Sequence, residues 1–213
     1  MKYKHIVFDI DGTLIDTEYA VLHSLQETIR ALSGREIPCS ELKFALGITE
    51  IDALKKLKIK DISYAIELWD NNMCKYADTI KVFDGITGLL ENLLSLDYKL
   101  GIVTSETREE FAHDFCQFGI SQYFKTIICA DDTQEHKPNA EPLLKYVELS
   151  KTDHRKALYI GDSKYDTPLY KFFNKKSIVQ DFLMYNPIFD SLAKHNTSQS
   201  RYLQGLRGIL VSF

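Results

Sequence analysis

The sequence predicts an α/β fold: a mostly parallel sheet layered between helices, interrupted by a separate helical unit. Two observations carry this. Four short apolar runs, rich in β-branched and aromatic residues, alternate with amphipathic stretches, which is the pattern of βαβ units. Between the first and second runs, residues 17–81 read as helix with no convincing strand.

Taken in order, KHIVFDI (4–10) is a buried strand that runs into Gly12. TEYAVLHSLQETIRALSG (17–34) is a long amphipathic helix closed by Gly34. SELKFALG (40–47) starts with Ser40 as a helix cap; Lys43 stands where a capping box needs an acid or amide. EIDALKKL (50–57) and DISYAIELWDNNMCKYAD (61–78) continue the helical texture. Phe44, Tyr64, Trp69 and Tyr76 are expected in the core of this unit. Residues 16–81 thus form a cap domain inserted into a core domain of 1–15 and 82–213. The flanks Ile15, Asp16 and 82–85 are its hinges. In the second half, strands 99–105, 126–132 and 156–162 alternate with helices over 86–96, 106–118 and 139–149. Gly119 closes the second of these helices, and Pro138 precedes the third. The four strands end near Asp9, Thr104, Asp131 and Asp162, and in an open parallel sheet the ligand crevice lies at the carboxyl ends of the strands.

Composition narrows the function classes. The 213 residues carry 26 Lys and Arg against 30 Asp and Glu, a net charge of −4. No basic excess points to nucleic acid, and no polybasic stretch points to a lipid surface. No stretch approaches a membrane span, and the first apolar run is too short for a signal peptide. Four scattered cysteines, Cys39, Cys74, Cys116 and Cys129, have no zinc or redox spacing. Reduced thiols in a cytoplasmic protein are the expectation.

The chemistry concentrates in carboxylates. In extended chain, residues i and i+2 face the same side, so Asp9 and Asp11 can face one pocket. Gly12 then lets the chain turn. Read alone, this motif also fits an Asx turn or a helix cap. Asp162 and Asp166 in IGDSKYD form a second pair, which alone could equally cap a loop. Four carboxylates at one sheet edge repel one another unless a cation joins them. All-oxygen ligands favour Mg²⁺, held by a few carboxylates, water and substrate phosphate. Thr104 and Lys137 offer the hydroxyl and ammonium donors that a phosphoryl group needs. Each alone would read as a strand residue or a surface lysine.

Four signatures thus stand in order: DxDGT (9–13), a strand ending in Thr (101–104), Lys before Pro (137–138) and GDxxxD (161–166). Together they resemble the haloacid dehalogenase superfamily. The likeness is closest to its phosphatase branch with a helical cap, which includes phosphoglycolate phosphatase and β-phosphoglucomutase. The resemblance runs to about residue 173 and implies a Rossmann-like core. It implies that Asp9 is a nucleophile forming an aspartyl-phosphate. It implies that Asp11 protonates the leaving alcohol, then deprotonates water, while its backbone carbonyl reaches the metal. Thr104, Lys137, Ser105 and Gly12 would bind the phosphoryl group. Asp162 would ligate Mg²⁺ with Asp9, and Asp166 would hold metal-bound water or orient Lys137. Superfamily members that cleave carbon–halogen bonds lack the second aspartate, so Asp11 disfavours dehalogenation.

The expected function is hydrolysis of a small phosphorylated metabolite, with no nucleic-acid or membrane partner and with monomer or dimer left open. A phosphosugar mutase, a pyrophosphatase and a phosphate- or partner-binding protein with a degenerate site are the rivals. Thr13, where the mutase tends to have Val, leans toward hydrolysis. Two departures stand out. TPLYKFFNKKS after Asp166 lacks the small residues usual in the family, Asn174 stands where Gly is common, and 174–213 receive no role. In the loop Leu46-Gly47-Ile48-Thr49-Glu50, which resembles the family's specificity loop, Glu50 stands where relatives of anionic substrates often carry Arg. A neutral or cationic leaving group is therefore expected.

Overall fold

The computed structural model describes residues 3–166. Its centre is a four-stranded sheet of β1 (His5–Phe8), β4 (Lys99–Val103), β5 (Thr126–Ile128) and β6 (Ala157–Ile160), in the order β5-β4-β1-β6 with every pairing parallel. The period of two sorts each strand onto two faces. Ile6, Phe8, Leu100, Ile102, Leu158 and Ile160 pack on one face with α5 (Ile86–Ser95), Phe111 and Phe115. Val7, Val103, Ile128 and Tyr159 pack on the other with Leu143 and Tyr146 of α7 (Glu141–Ser150). Helices on both faces give the three-layer, Rossmann-like α/β arrangement. Gly101 belongs to the second face, where a Cβ would fall 2.1 Å from the Tyr146 ring. Only a residue without a side chain lets that ring lie against the sheet.

The chain builds outward from β1 to β4 and β5, then crosses back to lay β6 on the other side of β1. The direction of winding therefore reverses at β1. Such a switch point opens a crevice at the carboxyl ends of the strands, and Asp9 follows the strand at its centre.

Helices α1 (Glu18–Ser33), α2 (Cys39–Leu42), α3 (Glu50–Lys56) and α4 (Ile62–Met73) enclose their own apolar cluster. Leu22, Leu25 and Ile29 of α1 meet Ala65 and Trp69 of α4. Two buried hydrogen bonds fix the register between these helices: Trp69 Nε1 to Ser24 Oγ at 2.8 Å and Asn72 Nδ2 to Thr28 Oγ1 at 2.9 Å. The stretches on either side pair as a two-stranded antiparallel ribbon, β2 (Ile15–Asp16) with β3 (Lys81–Val82). Two residues carry no readable period, so the sequence shows hinges there and not strands.

Several local expectations shift. Ser40 lies inside α2; the helix is preceded instead by Pro38, whose φ of −66° and ψ of 145° set the turn into it. Residues 106–118 wind as one α-turn, α6 (Arg108–Glu110), then a π segment (Phe111–Phe115) and a 3₁₀ turn (Cys116–Phe118), closed as expected by left-handed Gly119. The helix after Pro138 begins at Glu141 and takes Pro142 in its first turn, while the Lys137–Pro138 peptide is cis in the preceding loop. Tyr64 is 55% exposed, because the buried stripe of α4 runs through Ala65, Trp69 and Asn72, one position away. Tyr76 packs against the sheet's core cluster and hydrogen-bonds Glu27 at 2.6 Å, whereas Trp69 and Phe44 belong to the helical cluster. The TPLYKFFNKKS stretch and 174–213 lie outside the described residues. Among the described residues, no helix is long and apolar enough to cross a membrane.

Candidate active site

The end of β1 delivers Asp9. Its N–H still donates to the Ile160 carbonyl at 2.8 Å, so the residue is held as a continuation of the strand. The carboxylate is buried. Its Oδ1 accepts the Ile10 N–H at 2.9 Å and lies 2.7 Å from Lys137 Nζ. Its Oδ2 is buried with no hydrogen-bond partner among the described residues. An orphaned carboxylate oxygen is costly in a protein interior and calls for a positive partner.

Lys137 is a buried ammonium between two carboxylates, Asp9 at 2.7 Å and Asp166 at 3.3 Å. Burial works against its charge, but Asp166 and Asp9 outweigh it and raise its pKa above the ordinary lysine range. Asp166 itself is fully engaged. Its Oδ1 accepts from Lys137 and from the Tyr159 hydroxyl at 3.0 Å; its Oδ2 accepts from Ser163 N at 2.9 Å and Ser163 Oγ at 2.8 Å. Both of its oxygens are engaged, one of them by Lys137.

Asp9, Asp162 and Asp166 place carboxylate oxygens within 4.8 Å of one another. With Asp166 engaged, Asp9 Oδ2 and Asp162 remain as anionic ligands. Two carboxylates with room for water and phosphate are a donor set that fits Mg²⁺. Protein packed around Asp162, with the nearby charge of Asp166, pushes its carboxyl up to about 7. Burial likewise raises Asp9 well above the ordinary carboxylate range, against the pull of Lys137. Both shifts mark oxygens that a cation would satisfy. Gly12 makes the close approach possible: at φ 69°, a Cβ there would fall 2.2 Å from Asp162 Oδ2.

Asp11 lies beside this cluster. Its Oδ1 accepts the Thr17 hydroxyl at 2.8 Å, and burial raises its pKa despite that bond. A raised carboxyl is suited to carrying a proton. Thr104 is buried at the end of β4; its Oγ1 accepts the Glu106 N–H at 3.1 Å, which leaves its own proton to donate.

Three expected contributors do otherwise. The Ser105 hydroxyl donates to the Gly47 carbonyl at 3.2 Å, reaching the helical unit. Past Thr104 the chain alternates, so the next side chain leaves the crevice. The Gly12 N–H donates to the Ile15 carbonyl at 2.9 Å, so Gly12 contributes shape and no donor. Asp131 is exposed and accepts the Arg108 N–H at 3.0 Å, capping α6. Conversely, Thr17, Tyr159 and Ser163 hold the carboxylates in place and were not singled out from the sequence. Tyr159 left a trace, being a hydroxyl in the middle of a buried strand.

A second acidic group forms where α3 and α4 meet α6. Glu50 on α3, Asp70 on α4 and Glu110 on α6 bring carboxylate oxygens within 4.8 Å of one another. Burial, followed by the charges of Glu110 and Asp70, pushes Glu50 up to about 9. A carboxyl raised on folding keeps a proton that the unfolded chain gives up. Its stabilising effect is therefore present at low pH and is lost as pH rises from about 4.5 toward about 9. In EDTA, melting temperature should fall across that window, and Glu50→Gln should flatten the slope. A slope unchanged in Glu50→Gln would place the raised carboxyl elsewhere.

Comparison with known proteins follows this geometry. A family model described as haloacid dehalogenase-like hydrolase matches residues 6–178. A Clostridium perfringens protein, provisionally named pyrophosphatase PpaX, is 32% identical over 164 residues, covering 76% of this chain and 77% of that one. Pyrophosphatase PpaX of Halalkalibacterium halodurans is 25% identical over 167 residues, 78% of each chain. Among solved structures, a provisionally assigned phosphoglycolate phosphatase from Lactobacillus plantarum superposes with a TM-score of 0.73 at 30% identity, covering 80% of this chain and 83% of that one.

Proposed function

The chain belongs to the haloacid dehalogenase-like hydrolase family, and we propose that it is a Mg²⁺-dependent phosphatase working through an aspartyl-phosphate at Asp9. The observation that carries this reading is the buried Asp9 carboxylate, with one oxygen paired to Lys137 and the other without a partner among the described residues. A nucleophile facing a phosphoryl dianion needs that arrangement: repulsion offset on one side and room for a cation on the other.

Asp9 attacks phosphorus and the bond to the leaving oxygen breaks. Asp11, its pKa raised by burial, gives that oxygen its proton. Water then attacks the aspartyl-phosphate, Asp11 takes the proton back, and phosphate leaves as the Asp9–phosphorus bond breaks. Thr104 and Lys137 hold the phosphoryl oxygens. Asp9 and Asp162, with the Asp11 carbonyl, would hold Mg²⁺, which supplies further charge neutralisation at those oxygens. Asp166 keeps Lys137 in position.

We read residues 16–81 as a cap over a core of 1–15 and 82–213. Its own apolar cluster and its paired ribbon support this. So do its contacts beside the site: Lys56 Nζ donates to the Tyr165 hydroxyl at 2.9 Å, and that hydroxyl donates to the Phe44 carbonyl at 3.0 Å. Tyr165 stands between Asp162 and Asp166, so closure would touch the metal-binding loop and exclude water from the phosphoenzyme.

For the substrate, the acidic wall at Glu50 supports a neutral or cationic leaving group. Pyrophosphate is the competing reading, carried by the names of the PpaX relatives. Phosphate release should be followed from p-nitrophenyl phosphate, glycolate, sugar and amino-alcohol phosphates, and pyrophosphate, with Mg²⁺ and with EDTA. Turnover that needs Mg²⁺ and vanishes in EDTA is expected, with monoesters preferred. Preference for pyrophosphate would reassign the substrate, and absence of release from every compound would sink the phosphatase reading.

A further inference from the structure

We propose that Tyr165 is a positioning residue that docks the 44–50 segment of the helical unit onto the loop carrying Asp162 and Asp166, so that cation binding in that loop and the placement of the segment depend on each other. Tyr165 fills one of the unspecified positions of GDxxxD (161–166), and its role rests on the cap and Mg²⁺ reading above.

The Tyr165 hydroxyl is used in both directions, and both partners lie in the helical unit. It donates to the Phe44 carbonyl at 3.0 Å and accepts from Lys56 Nζ at 2.9 Å. The Lys56 ammonium also lies 4.6 Å from the centre of the Tyr165 ring and 5.8 Å from that of Phe44, so one cation draws the two rings together. At its backbone, the Tyr165 N–H donates to Ser163 Oγ at 3.2 Å. Ser163 Oγ donates in turn to Asp166 Oδ2 at 2.8 Å, and Asp166 Oδ1 accepts from Lys137, which lies 2.7 Å from Asp9. Bonded groups thus run from the helical unit to the nucleophile through Tyr165.

Two further contacts seat the same segment. A Cβ on Gly47 would fall 2.5 Å from Ser163 Cβ, so the segment and the loop meet with no room between them. The Ser105 hydroxyl holds the Gly47 carbonyl from the loop that follows Thr104. The segment continues into Thr49, whose side chain caps α3 by accepting the Asp52 N–H at 3.2 Å, and Glu50 is the first residue of that helix. Where the segment docks therefore decides where Glu50 stands.

A cation held by Asp162 fixes the 162–166 backbone and with it the Tyr165 hydroxyl. Coupling of this kind is reciprocal: what the cation does for docking, docking does for cation affinity.

The test uses the full chain without substrate. Mg²⁺ affinity is measured by titration calorimetry, and amide hydrogen exchange over 43–50 is followed by mass spectrometry with Mg²⁺ and with EDTA. In the parent, Mg²⁺ should slow exchange over 43–50, although none of the proposed Mg²⁺ ligands lies there. Tyr165→Phe keeps the ring and should bind Mg²⁺ about fivefold more weakly, with the slowing lost. Lys56→Met, a change in the helical unit alone, should do the same. Mg²⁺ binding itself shows that each variant is folded. The proposal is overturned if Mg²⁺ binds the parent and leaves exchange over 43–50 unchanged, or if either variant matches the parent in both affinity and exchange. A parent that binds no Mg²⁺ would overturn the cation reading of the active site, and the coupling with it.

Discussion

Asp9→Asn should lose turnover by about 10⁴-fold or more, the scale seen when a covalent nucleophile is removed. The substitution keeps the shape of the side chain. The Ile10 N–H can still donate to the amide oxygen, and Lys137 keeps Asp166 at 3.3 Å. The variant should therefore melt within a few degrees of the parent. Single-turnover phosphate release separates the outcomes. A folded, inactive variant is the expected result. Residual activity above roughly 1% of the parent's would show that water attacks the substrate directly and that Asp9 serves only to hold the metal.

Lys137→Met should lower stability as well as activity. It removes the ammonium that two buried carboxylates share. Breaking a buried ion pair by removing one partner costs about 3–5 kcal/mol, because the remaining charge is left uncompensated. For a chain of this size that is a fall in melting temperature of about 10 °C. The sign of the pH dependence makes the cause testable. Without Lys137, the Asp9 carboxyl rises further above its unfolded value, so the lost stability returns as pH falls and Asp9 takes a proton. A methionine variant equally destabilised at every pH would indicate a packing defect and no missing charge. Mg²⁺ should restore part of the loss, since it offers Asp9 another cation.

Much of this was legible in the sequence because the rules involved are local. Short apolar runs rich in β-branched and aromatic residues located all four strands; in the structure the period of two divides their side chains between two core clusters, as with Ile6 and Phe8 against Val7. Amphipathic spacing located α1, α4 and α5. Asp9, Thr104, Lys137, Asp162 and Asp166 stood out because turn-forming or strand-ending positions carried groups suited to phosphoryl chemistry. Misplaced boundaries came from competition at short range: Pro38 displaced Ser40 as the residue before α2, and one position on α4 decided that Tyr64 faces solvent.

What the sequence determined by itself was the alternation of strands and helices, the helical insert and the roster of polar groups near the strand ends. Tertiary structure alone decided which of those groups meet. Asp131 carries the same residue type as Asp162 at the same kind of position, yet it caps a helix turn while Asp162 joins Asp9. Ser105 turns to Gly47, and Glu50, Asp70 and Glu110 converge from positions up to 60 residues apart. The physical reason is range. Propensity and periodicity act over a few bonds and can be read along the chain, whereas charge and hydrogen bonding act through space, between groups that only the folded sheet and helices bring together.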